Sequence, residues 1–206
     1  MKYITTRTEN AAGVESAVAI RNGLAPDGGL YLPESIPQLT GAEIKELQQS
    51  DYAALAAKVM SLFLTDYTYG ELLAAAKAAY SAEKFGGVPA PISKVGEDYF
   101  SELWHGPTCA FKDMALQVMP RLLSLALDKT GAREDAHILV ATSGDTGVAA
   151  LEGYKNVPRT RITVFYPANG VSDTQKRQMS TQEGDNVAVV AVRGDFDAAQ
   201  TGVKRI

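Results

Sequence analysis

The chain has 206 residues, enough for one large domain or for a small domain plus most of another. Hydrophobic residues at 46% and charged residues at 21% place it among ordinary globular proteins, and a net charge of -4 with no Lys/Arg-rich run argues against a nucleic-acid-binding surface. The single cysteine, Cys109, excludes an internal disulfide framework, no apolar run approaches the roughly 20 residues that cross a bilayer, and the start Met1-Lys2-Tyr3-Ile4-Thr5-Thr6 lacks a signal peptide's apolar segment, so a reducing, cytoplasmic setting is expected.

Residues 1 to about 40 predict a short strand over Lys2–Thr6, a helix near Ser16–Asn22 and a turn-rich passage from Ala25 to Pro37. Within that passage, Ala25-Pro26-Asp27-Gly28-Gly29 suits a tight turn ahead of a brief apolar strand. Two helices are expected next, Gly41 to about Leu64 and Tyr69 to about Lys84, the second with Leu72, Leu73, Ala76 and Tyr80 at helical spacing. Phe85-Gly86-Gly87-Val88-Pro89-Ala90-Pro91 is a breaker cluster at which alanine-rich helix gives way to alternating strand. It places a domain boundary after Gly86, giving domains 1–86 and 87–206.

Beyond the boundary, strands and helices alternate. Strands are predicted at Ile92–Val95, Tyr99–Trp104, His137–Thr142, Arg161–Tyr166 and Asn186–Val192. Helices are predicted after Lys112, from near Thr146, over Ser172–Gln182 and over Phe196–Ile206, the first of them long and apolar over much of its surface. Apolar strands separated by helices indicate α/β architecture: a small, mostly helical N-terminal domain followed by part of a doubly wound parallel sheet.

Three stretches carry chemistry. Leu103-Trp104-His105-Gly106-Pro107-Thr108-Cys109-Ala110-Phe111-Lys112-Asp113 presents one lysine, Lys112, at the mouth of the apolar helix. Helix amides and apolar walls disfavour an ammonium there, which is how a nucleophilic amine is made; a solvated lysine paired with Asp113 is the simpler account. Ala141-Thr142-Ser143-Gly144-Asp145-Thr146-Gly147 follows the most apolar strand and opens a helix. Glycines there let a ligand approach helix N-terminal amides, whereas Ser143, Asp145 or Thr146 acting as an N-cap would explain the stretch without a ligand. Its spacing matches neither the dinucleotide fingerprint nor the P-loop. Tyr166-Pro167-Ala168-Asn169-Gly170-Val171-Ser172 is a third strand end, with Lys176 and Arg177 in the helix that follows. His105 reads equally as a substrate contact or as a packed ring, His137 reads as structural and Cys109 as a small buried filler. No metal-ligand cluster of His and Cys exists.

In their order and spacing, His105-Gly106-Pro107-Thr108, Ala110-Phe111-Lys112-Asp113, Ala141 to Gly147, Tyr166-Pro167 with Val171-Ser172, and Gln178-Met179 resemble the threonine synthase family. Arg21-Asn22-Gly23-Leu24-Ala25-Pro26-Asp27-Gly28-Gly29-Leu30-Tyr31 resembles that family's N-terminal domain, so the resemblance spans essentially the whole chain. It implies a fold type II enzyme that uses pyridoxal 5′-phosphate, with Lys112 matching the lysine that holds the cofactor covalently. It likewise implies that Ser143, Gly144, Asp145, Thr146 and Gly147 match the loop against the cofactor ring and the substrate carboxylate. The implied reaction takes O-phospho-L-homoserine and water to L-threonine and phosphate, the last step of threonine biosynthesis.

The implied partner is that small molecule, with no nucleic acid and no membrane; a homo-oligomer stays open. Cys109 departs from the lysine motif. Proteins of this kind are about twice as long and carry a glycine-rich phosphate loop that this chain lacks, so an N-terminal fragment, inactive alone, is expected. Another fold type II lyase, such as a phospholyase or a threonine dehydratase-like enzyme, and a non-catalytic truncated module are the alternatives.

Overall fold

The structure is a computed structural model that describes residues 1–206, and its packing divides the chain into two units. One comprises Met1–Tyr80 with Leu125–Arg133, the other Ser81–Ser124 with Glu134–Ile206.

In the first unit, β1 (Tyr3–Thr5) pairs antiparallel with β2 (Tyr31–Pro33), Ile4 opposite Leu32. Helix α1 (Ser16–Asn22) lacks a cap at Glu15; Asp66 supplies one from far along the chain by accepting from the Ala17 amide at 2.9 Å and from the Ser16 hydroxyl. Where one helix was expected from Gly41, there are two, α2 (Gly41–Leu47) and α3 (Tyr52–Phe63). Asp51 separates them: its backbone is extended and its carboxylate accepts from the Ala54 amide at 2.7 Å, starting a new helix. A capping box between Thr68 and Glu71 opens α4 (Tyr69–Ala79). Helices α3 and α4 pack through small residues, Ala53 and Ala57 against a face with Leu72, Ala76 and Ala79, all buried. Tyr52 meets Tyr80 edge to face at 5.2 Å.

The second unit begins with α5 (Ala82–Phe85), which Ser81 caps. The helix expected over 69–84 is therefore interrupted at Tyr80–Ser81. Strands β3 (Ile92–Val95) and β4 (Asp98–Ser101) form their own antiparallel hairpin and do not join the parallel sheet, because the two-residue connection Gly96-Glu97 permits only antiparallel pairing. The helix expected after Lys112 is also two pieces, α6 (Asp113–Leu116) and α7 (Met119–Lys129), the last residues of α7 falling in the first unit. Pro120 is the reason. It lacks an N–H and disfavours helix before it, but is tolerated in a first turn.

Strands β5 (Ala136–Ala141), β6 (Thr160–Pro167) and β7 (Val187–Val192) form a parallel sheet in that order. Parallel strands need crossovers, here α8 (Asp145–Tyr154) and α9 (Asp173–Ser180), with α10 (Phe196–Arg205) after β7. Along β6, Thr160, Ile162, Val164 and Tyr166 are buried, and α8 and α10 both contact this strand. Because all three strands run the same way, the loops after Ala141, Pro167 and Val192 lie along one edge of the sheet. No helix is long and apolar enough to cross a membrane.

Candidate active site

Lys112 sits immediately before α6, and its carbonyl accepts from the Leu116 amide at 2.9 Å. The turn that delivers it is held from the next residue. Asp113 is fully buried, and its carboxylate accepts from the Thr108 amide at 2.8 Å and the Thr108 hydroxyl at 2.7 Å. The carboxylate is thus committed to the loop, and the simple pairing of Lys112 with Asp113 is not what the structure shows. Gly106 closes the same turn: a Cβ there would lie 2.4 Å from Asp113 Oδ2. Burial raises the Asp113 carboxyl above the usual carboxylate range, against the opposing hydrogen bonds from Thr108 and Ala110. Lys112 is half-buried, with Nζ 4.4 Å from the centroid of the Phe111 ring. Cys109, expected as a buried filler, is exposed with φ +58°, because it forms the tip of the turn in which its amide donates to the Gly106 carbonyl at 3.0 Å.

In the second stretch the capping is done by Thr142, not by Ser143, Asp145 or Thr146. Thr142 is buried, and its hydroxyl oxygen accepts from the amides of Gly144 at 3.0 Å and Gly147 at 2.9 Å. The N-cap position itself is Gly144, which has no side chain to offer. Ser143, Asp145 and Thr146 are left exposed, and the first-turn amides of Asp145 and Thr146 have no intrahelical partner. Those amides carry the positive end of a ten-residue helix. A Cβ on Gly147 would come 2.5 Å from Thr142 Cγ2, so glycine is what lets the helix start close to the strand. A side chain at Gly144, which has φ +148°, would run into the side chain of Gln175.

Gln175 belongs to the third stretch. Ser172 and Gln175 form a capping box at the start of α9, and the Gln175 amide nitrogen also donates to Asp145 Oδ1 at 2.6 Å. Sequence reasoning passed over this residue, though Ser172-Asp173-Thr174-Gln175 has the spacing of a capping box. Lys176 and Arg177 are exposed on α9. His105 is a packed, hydrogen-bonded ring, with Nε2 2.6 Å from Glu102 and its plane stacked on Trp104. A hydrogen bond from Ser93, and after it the one with His105, hold the Glu102 carboxyl below the usual range. His137 meets the Thr163 hydroxyl at 2.9 Å across neighbouring strands, as a structural residue would.

The structure brings Ser143, Gly144, Asp145, Thr146 and Gly147 together with Gln175 at one sheet edge. No hydrogen bond or ion pair joins Lys112 to this loop. What connects them is helix packing: α6 lies on α8, where a Cβ at Gly153 would fall 2.0 Å from the Leu116 carbonyl oxygen. A cavity of about 340 Å³ in the first unit, beside Thr5, Asn22, Asp27 and Tyr31, contains neither a lysine nor a helix N-terminus. The loop and Lys112 are therefore the better candidates. An exposed glycine-backed loop with free helix amides suits an anionic group, and a lysine at a rigid turn suits covalent attachment.

Comparison with known proteins finds similarity along the chain as a whole. Residues 2–80 match the family described as threonine synthase N terminus. A threonine synthase of Pseudomonas aeruginosa is 40% identical over 99% of this chain and 43% of its own length. The crystal structure of threonine synthase from Brucella melitensis, described as bound to pyridoxal phosphate, superimposes with a TM-score of 0.91 at 36% identity, over 100% of this chain and 44% of that one. The yeast threonine synthase structure gives 0.90 at 33% identity, over 98% of this chain and 42% of that one. The chain is thus similar, over its whole length, to the N-terminal portion of threonine synthases, and spans less than half the length of these relatives.

Proposed function

We propose that the chain is the N-terminal portion of a threonine synthase, with residues 1–86 as its N-terminal domain and 87–206 as the first part of a cytoplasmic, fold type II catalytic domain. The observation that carries this reading is similarity that covers essentially every residue at 40% identity, rather than the three motifs alone. The proposed reaction is conversion of O-phospho-L-homoserine and water to L-threonine and phosphate.

The residues present fit pyridoxal 5′-phosphate. Lys112 would hold it through Nζ, while Ser143, Gly144, Asp145, Thr146 and Gly147 would lie against it and the substrate carboxylate. The structural support is the pair of free first-turn amides above Gly144 and Gly147, where any Cβ would meet a neighbour within 2.5 Å. When bound, this group supplies an electron sink for charge developing on the substrate carbons.

The chain's own residues would do the rest. The amides of Asp145 and Thr146 receive a carboxylate and orient it. Nζ of Lys112, a mobile amine on a four-carbon stem, takes protons from substrate Cα and Cβ, and one proton goes to Cγ and, last, one back to Cα. Phosphate leaves as the Cγ–O bond breaks; the oxygen of water bonds to Cβ, and the proton water gives up balances the one the departing phosphate takes. Asp113 touches no substrate in this scheme; it fixes through Thr108 the turn from which Lys112 projects.

The test is product analysis on the complete protein supplied with cofactor and O-phospho-L-homoserine. Phosphate and L-threonine should appear in equal amounts. Phosphate without threonine would instead indicate a phospholyase, and neither product would indicate a non-catalytic module.

A further inference from the structure

One contact in the second unit that the proposed function leaves unassigned is that of Gln175 with the loop after β5. Its amide nitrogen donates to Asp145 Oδ1 at 2.6 Å, while its amide oxygen accepts from the Ser172 hydroxyl at 3.1 Å and the Ser172 amide at 3.3 Å. The same amide lies against the α-carbon of Gly144, close enough that a Cβ there would come 2.4 Å from its nitrogen. One side chain therefore closes the cap of α9, backs Gly144 and fixes the first residue of α8. Asp145 cannot cap α8 itself, since the Gly147 amide already donates to Thr142. Gln175 is thus the group that restrains its carboxylate.

We propose that Gln175 is a positioning residue that holds the Ser143–Gly147 loop in its anion-ready form and couples the loop to helix α9. This rests on the function proposed above for its link to the cofactor, but not for its effect on the loop. With Gln175 in place, the Asp145 carboxylate is drawn toward α9 and Gly144 is pinned, so the free amides of Asp145 and Thr146 stay preorganised. With the bond broken, an untied carboxylate beside those amides competes for the place an incoming anion would take.

Glu at position 175 separates this role from helix capping. A carboxylate there still accepts from Ser172, so the capping box is retained and α9 stays formed. It has no donor for Asp145 and faces it with a like charge. In Gln175→Glu of the full chain, hydrogen exchange at the Gly144 and Gly147 amides should quicken by about tenfold, the worth of a hydrogen bond to a charged group. The amides of α9 should keep their protection. The affinity for added pyridoxal 5′-phosphate, read by visible absorbance, should fall by a similar factor in the complete protein. Asp145→Asn in the Gln175→Glu background returns a donor to the pair and should restore the slow exchange.

Unchanged exchange at Gly144 and Gly147, or failure of the double variant to restore it, would overturn the proposal. So would faster exchange with unaltered cofactor affinity, since the bond would then be structural only. A wild-type protein that takes up no pyridoxal 5′-phosphate would sink the functional reading instead, and the exchange comparison would still decide whether Gln175 holds the loop.

Discussion

At the scale of single residues, the account turns on Lys112 and on Asp113 beside it. Replacing Lys112 by Ala or Arg in the complete protein should lower turnover by at least about 10²–10⁴-fold, because neither side chain offers an amine that can both bond and move a proton. Steady-state phosphate release measures this. Asp113 yields a prediction in pH. Burial raises its carboxyl in the folded chain, so between the usual value and the raised one the native state binds more protons than the unfolded state. Stability contributed by this group must then fall as pH rises from about 4 through that window, and the fall is complete above the folded value. Urea melts at a series of pH values should show a shallower decline for Asp113→Asn than for the wild type.

Lys112 could be picked out from the sequence only by the order of motifs around it, since one lysine before an apolar helix is usually exposed. The clamp from Asp113 to Thr108 was not legible, because a bond across a five-residue turn leaves no periodic trace. Thr142 was hidden for a related reason: it read as the end of an apolar strand, yet its hydroxyl does the capping expected of its polar neighbours.

At the scale of elements, local chemistry decided where helices start and apolar pattern misled about where they stop. Thr68 with Glu71 and Ser172 with Gln175 announce their helices in the sequence, and the structure starts α4 and α9 there. Asp51, Ser81 and Pro120 announce starts equally well, but each lies inside a run whose apolar spacing continues across it, and longer helices were expected in consequence. The hairpin of β3 and β4 was likewise read into the strand and helix alternation, although its two-residue turn decides against a crossover. Two stability changes follow. Thr68→Ala removes a capping box and should cost about 1 kcal/mol by chemical denaturation. Gly153→Ala drives a methyl into the Leu116 carbonyl oxygen, which is backbone and cannot rotate away, and overpacking of this kind costs about 1–3 kcal/mol. That variant should also weaken cofactor binding, as α6 carries Lys112 at its start.

At the scale of the whole molecule, similarity to threonine synthases runs from one end of the chain to the other but reaches only 43% of the length of the Pseudomonas relative. In the parallel sheet, β5 and β7 each pair on one side only. We expect residues 1–206 alone to show no measurable phosphate release from O-phospho-L-homoserine under conditions in which the complete protein is active. The central claim is that one amine, Lys112, carries the cofactor of a threonine synthase. It is tested most directly by incubating the complete protein with pyridoxal 5′-phosphate, reducing with borohydride and mapping the modified peptide by mass spectrometry. The account predicts one stoichiometric pyridoxyl group on Lys112, whereas a label on another lysine, or none at all, would contradict it.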